Sequence, residues 1–259
     1  MKRLIRYILA WFLTIIIAPK QKAKRNAIRI LELEMIKLYP EPMVGPFVDF
    51  PSYEKILETR KKWFNDYINS GAAAKAEFRP IMIGDSIGDG ARKWMFSIDG
   101  RVNFAMPGFW IHHMRKLYSD MKSYWEGFGY NPDVFIIETP GGNNLLQRQE
   151  VNNVIGQFID FLSAIRSDYP KARIIIGDLP TSIVNYVIYN KPKITENIYH
   201  WVQNDGNACL LCMVKGYINK FLPRNDMSFE GVHLTPLGSV LFDDEINSAI
   251  RNKSINIIF

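Results

Sequence analysis

What most limits the fold of this chain is a set of short apolar runs: Ile81-Met82-Ile83, Val102 to Met106, Val134-Phe135-Ile136-Ile137 and Ile174-Ile175-Ile176. They are almost free of polar residues, so they read as strands buried on both faces, the signature of a parallel sheet. Each run ends in glycine or polar residues: Gly84, Pro107-Gly108, Thr139 to Asn144, and Gly177-Asp178. Between runs the apolar residues return at helical spacing. One such face is Trp110, Ile111, Met114, Leu117, Tyr118, Met121 and Trp125. Another is Val151, Val154, Ile155, Phe158, Ile159, Phe161, Leu162 and Ile165. Strand-then-helix alternation with right-handed crossovers puts helices on both faces of the sheet. The expected fold is therefore α/β: a three-layer α/β/α domain with a mainly parallel sheet.

The domain is expected over residues 76–259. Ahead of it, 20–75 reads as a helical extension with a proline-rich connector. Within that extension 21–38 and 54–69 have helical period, 39–53 is broken by Pro40, Pro42, Pro46 and Pro51, and Gly71 to Ala74 closes the second helix. Residues 194–222 read as mostly helical, interrupted near Asn204-Asp205-Gly206. Thr235-Pro236 is an N-cap and N1 pair for a last helix reaching about Arg251.

Residues 1–19 are basic and then apolar: Lys2, Arg3 and Arg6 precede Tyr7 to Ala18. That run is short of the ~20 residues a spanning helix needs. It fits a secretory signal, an uncleaved anchor or a helix lying in the membrane surface. More basic residues follow at Lys20, Lys22, Lys24, Arg25 and Arg29, so much of the net charge of +6 sits near this end. The charge thus points to a membrane surface rather than to nucleic acid, for which no recognition motif is present. Location is expected to be membrane-associated, extracytoplasmic if 1–19 act as a signal, and residues 1–75 could also bind protein partners. The cysteines, Cys209 and Cys212, form a CxxC in apolar surroundings and are expected in the core.

The unusual residues gather at the loops. Gly84-Asp85-Ser86-Ile87 follows the first strand, Gly108 the second, Gly141-Gly142-Asn143-Asn144 the third, and Glu230-Gly231-Val232-His233-Leu234-Thr235 precedes the last helix. Together these resemble the SGNH, or GDSL-type, hydrolases of acyl esters, over roughly residues 78–252 and in the family's order. The resemblance implies a flavodoxin-like, mainly parallel sheet, with Ser86 as nucleophile and His233 as base and later acid. It also implies the Ser86 and Gly108 backbone N–H groups and the Asn143 side-chain amide as oxyanion donors. Acyl transfer needs these parts: a nucleophile, a base, and donors for the tetrahedral oxyanion. It needs no metal or cofactor, and none is expected.

The chain departs from the family pattern at two positions. Glu230 stands where the family has Asp, and would have to orient the His233 imidazole across an extra methylene. Asn144 stands where the family has another Asp, and is expected to alter a loop hydrogen bond rather than the chemistry. The function expected is a serine esterase, deacylase or acyltransferase acting on an acyl ester, of lipid or glycan. The alternative is a catalytically silent structural or assembly subunit at a membrane. Other readings of single residues are bland: Ser86 as a helix cap, Asn143 and Asn144 as turn residues, and His112 and His113 as a solvated face. His200 reads as packing, and Phe109 and Trp110 read either as helix–sheet packing or as the lining of an acyl pocket beside Gly108. A phosphate loop at Gly84 to Gly90 is disfavoured, because it lacks Gly-Lys-Ser/Thr and carries Asp85 and Asp89.

Overall fold

The structure is a computed structural model that describes residues 5, 7–16, 53–88, 102–179, 185–211, 218–219, 222–223, 234–252 and 257–258. The expected helix at 21–38 lies outside these residues, as does the expected connector at 39–53 except for Tyr53, which is helical.

The sheet is built from β1 (Pro80–Ile83), β2 (Val102–Asn103), β3 (Val134–Glu138), β4 (Arg173–Gly177), β5 (Ala208–Leu211) and β8 (Ile257–Ile258). Its order is β2-β1-β3-β4-β5-β8, and every adjacent pair is parallel. The first five strands thus follow the flavodoxin-like order 2-1-3-4-5, as expected. β6 (Ile218–Asn219) and β7 (Leu222–Pro223) form a separate antiparallel pair.

The helices are α1 (residues 7–16), α2 (Tyr53–Asn69), α3 (Ala72–Lys75) and α4, which opens at residues 86–88. They continue with α5 (Ile111–Gly127), α6 (Gly142–Leu146), α7 (Val151–Asp168), α8 (Asn185–Asp205) and α9 (Pro236–Arg251). Alternate strand residues feed two cores, as the period of two in a strand requires. Ile81, Ile83, Phe135, Ile137, Ile174 and Ile176 pack with α2, α5, α7 and α8. Met82, Val134, Ile136, Ile175, Cys209 and Leu211 pack with Phe242, Ile246, Ala249 and Ile250 of α9.

α2 enters the first core through Ile56 and Phe64. The Phe64 ring meets Phe104, Tyr124, Phe128 and Tyr130 with centroids 5.4–6.4 Å apart, three of the four edge-on. Beside it Arg60, buried, donates from Nη2 to the Ala105 carbonyl just past β2. Phe64→Ala is therefore expected to destabilise the protein by about 3–5 kcal/mol, read as a lower midpoint in urea unfolding.

The structure corrects the reading of 194–222 as mostly helical. α8 stops at Asp205, Gly206 turns the chain with φ +73°, and Ala208-Cys209-Leu210-Leu211 is strand β5. Four consecutive apolar residues carry no periodicity that separates a buried strand from a buried helix turn. Gly71 does end α2, but Ala72–Lys75 then form their own short helix, α3. α9 starts at the expected residue: Thr235 Oγ1 accepts from the Gly238 N–H at 3.0 Å, and Pro236 is the first helical residue.

Candidate active site

Ser86 lies where β1 hands over to α4, at the carboxyl end of the sheet, and is half-buried. The turn is tight because Gly84 lies against β3: a Cβ there would come within 2.4 Å of Glu138 Oε2 and 2.8 Å of Glu138 Cβ. Asp85 is buried, and its Oδ1 accepts from the Ile87 N–H at 3.0 Å, satisfying one of the unpaired donors that open α4.

The loop after β2 is tied to this turn by backbone bonds. The Phe104 N–H donates to the Met82 carbonyl at 2.8 Å, and the Met106 N–H donates to the Gly84 carbonyl at 3.1 Å. Two residues on, Gly108 turns the chain at φ +74°, a left-handed conformation that costs glycine little. Phe109 and Trp110, both buried, then lead into α5.

The loop after β3 completes the cluster. Asn143 Nδ2 donates to the Phe109 carbonyl at 3.0 Å and to Asp85 Oδ2 at 3.3 Å. One amide thus joins the serine turn, the glycine loop and its own short helix, α6. The neighbouring Asn144 is fully buried; its Oδ1 accepts from the Ile111 N–H at 3.1 Å and its Nδ2 donates to Gln149 Oε1 at 2.8 Å. The first of these bonds pins the start of α5 to the α6 loop. The second uses an N–H that an aspartate in the same place would lack.

Next to Gly108 lies a pair of imidazoles. The His112 and His113 rings are 3.9 Å apart, and His113 also faces Phe109 at 5.4 Å. His113 Nδ1 accepts from the Trp110 N–H at 3.2 Å, so this side chain is half-buried and caps α5 rather than standing on a solvated face. Burial, with a smaller contribution from His112, pushes its pKa down from 6.5 to about 4. The unfolded chain takes up that proton near pH 6.5 and the folded protein only near 4, so stability falls as the pH drops through this window. His113→Asn is expected to flatten that part of the profile of melting temperature against pH.

Solved structures that share this architecture include the following three. A candidate acylhydrolase from Bacteroides fragilis superposes with a TM-score of 0.55 at 14% identity, covering 68% of this chain and 87% of its own. A candidate platelet activating factor from Streptococcus pneumoniae gives 0.55 at 15%, over 86% and 98%. A member of the lipolytic protein G-D-S-L family from Veillonella parvula gives 0.51 at 18%, over 67% and 98%. The chain has the SGNH-hydrolase fold. No protein-family model matches the sequence, and no curated protein does.

On this SGNH fold the structure brings together three of the expected site residues, Ser86, Gly108 and Asn143, through the loops after β1, β2 and β3. Glu230 and His233 lie outside the described residues; the described chain resumes at Leu234, directly after His233. Sequence reasoning gave no role to Asp85 beyond its place in the Gly-Asp-Ser motif, nor to Glu138. Burial was the missing signal: Glu138 is fully buried and is the side chain that Gly84 and Gly88 pack against. His200, expected to pack, is instead exposed and faces Glu196 at 4.0 Å. Cys209 is buried on β5 and free, and burial pushes its thiol up to about 11, which makes it a core residue rather than a reactive one. Cys212 lies outside the described residues.

Proposed function

We propose that the protein is a serine esterase, deacylase or acyltransferase that works through an acyl-enzyme on Ser86. The observation that carries this reading is the Asn143 amide, bonded at once to Asp85 beside Ser86 and to Phe109 beside Gly108. Such a bridge would hold the nucleophile and the proposed oxyanion donors in one fixed group before substrate arrives, which is what preorganised electrostatic catalysis requires. The acylhydrolase and lipolytic proteins that share the fold favour the same chemistry.

In this mechanism His233 takes the Ser86 proton as Ser86 Oγ attacks the ester carbonyl. The oxyanion accepts from the Ser86 and Gly108 N–H groups and from Asn143 Nδ2. His233 then protonates the leaving alkoxide, and water or an acceptor alcohol, deprotonated by His233, releases the acyl group. Glu230 orients the imidazole. Both Asn143 donors meet protein acceptors in the structure, so the oxyanion must draw one of them away; the longer bond, to Asp85 at 3.3 Å, is the one to yield. The enzyme works at a membrane through residues 1–19, on a lipid or glycan ester.

The second reading, a catalytically silent assembly subunit, draws on those same committed donors and on Glu230. Labelling the purified protein with a fluorophosphonate separates the two. Stoichiometric labelling of Ser86 is expected; a folded protein that stays unlabelled would establish the silent reading.

A further inference from the structure

Helix α1 is amphipathic the wrong way round for a soluble protein. The residues it turns to the body are Tyr7, Ala10 and Thr14, spaced three and four apart along one stripe. Thr14 and Ala10 are buried, and both polar side chains of the stripe hold α9. Thr14 Oγ1 donates to the Ala10 carbonyl at 2.8 Å and accepts from the Leu237 N–H at 3.2 Å. Leu237 is in the first turn of α9, where N–H groups have no acceptor within their own helix, so Thr14 supplies one from a distant part of the chain. Tyr7 Oη donates to Asp244 Oδ2. The contacts lie seven residues apart on each helix and in opposite order, so α1 runs antiparallel along α9.

The outward face holds the large apolar residues. Ile8, Leu9, Trp11, Phe12, Ile15 and Ile16 are each at least 44% exposed. Apolar side chains concentrated on the solvent face of one short helix mark a surface meant to be covered. Lys2, Arg3 and Arg6 precede this helix in the sequence, and Lys20, Lys22, Lys24 and Arg25 follow it. An apolar face between basic clusters suits an anionic bilayer surface, where acyl chains take the apolar residues and headgroups the charges. Spanning does not suit it. Among the described residues no helix is long and apolar enough to cross a membrane. The apolar run from Tyr7 to Ala18, even if helical throughout, would rise only ~18 Å, short of the ~30 Å hydrocarbon core. A helix bonded along α9 also cannot leave the domain to enter that core end-on.

We infer that α1 is an in-plane membrane helix, latched to α9 by Tyr7 and Thr14, which seats the domain on an anionic bilayer with its α1–α9 side toward the lipid. This rests on the membrane association proposed above and is independent of whether Ser86 is active.

The test uses the full chain with vesicles of phosphatidylcholine, alone or mixed with phosphatidylglycerol. Sedimentation with the mixed vesicles should exceed that with phosphatidylcholine alone. Trp11→Glu with Phe12→Glu should weaken it by about tenfold or more, because both the buried area and the charge change. These side chains are exposed, so the melting temperature should stay unchanged. The part of the tryptophan fluorescence that Trp11→Phe removes should be quenched more by lipids brominated near the headgroup than by lipids brominated near the bilayer centre. Stronger quenching from the centre would keep the membrane reading and overturn the in-plane helix. Absence of binding would overturn both; if the wild type then self-associates and the double variant does not, the covering partner is a second copy of the chain.

Discussion

Ser86→Ala is expected to lower ester turnover by about four to six orders of magnitude while the protein stays folded, and to abolish fluorophosphonate labelling. The size follows from the group removed. Without Oγ no acyl-enzyme can form, and what remains is whatever the oxyanion donors and substrate binding can do for direct attack by water. The structure also explains why folding should tolerate the change. Ser86 is half-buried at the first turn of α4, and the cap on that turn comes from Asp85, whose Oδ1 holds the Ile87 N–H. His233→Ala should abolish labelling too, since the serine would lose its base. A Ser86→Ala protein that keeps wild-type turnover would place the chemistry elsewhere.

Asn143→Ala is expected to reduce kcat by about a hundred- to a thousandfold with little change in KM, because an oxyanion donor acts on charge that appears only in the transition state. Its loss also removes the bridge from Asp85 to the Phe109 carbonyl, so a structural effect must be told apart from a catalytic one. Asp85→Asn serves as that control. It leaves an oxygen able to accept from the Ile87 N–H but turns Oδ2 into an NH2 that cannot accept from Asn143, so the bond to Asp85 is lost while the Asn143 amide itself stays. If Asn143 is a donor to the oxyanion, Asp85→Asn should retain far more activity than Asn143→Ala. Equal losses in both variants, or a loss in Asn143→Ala confined to KM, would count against an oxyanion role.

Much of this molecule is legible in its sequence. The runs at Ile81, Val134 and Ile174 predict parallel strands because a strand covered on both faces has no polar side to show. Thr235-Pro236 predicts the start of α9 because its chemistry is local: one hydroxyl for one orphan N–H, and a ring that forgoes another. The same locality put Ser86, Gly108 and Asn143 at the ends of strands, where a parallel sheet collects its loops.

Tertiary structure alone decided what depends on neighbours distant in sequence. β5 could not be told from helix, since Ala208 to Leu211 are apolar throughout and only pairing with β4 makes them a strand. Asn144 looked like a departure from a pattern. Its role became readable once the Ile111 N–H and Gln149 were found on either side of its amide. His113 looked solvated until the Trp110 N–H and the Phe109 ring were seen against it. The inverted face of α1 is the strongest case. Apolar content along residues 7–16 is plain from the sequence, but which stripe meets protein is set by α9, more than two hundred residues away. Periodicity records how a helix is patterned, whereas only the packed chain shows which side of the pattern is left for a partner.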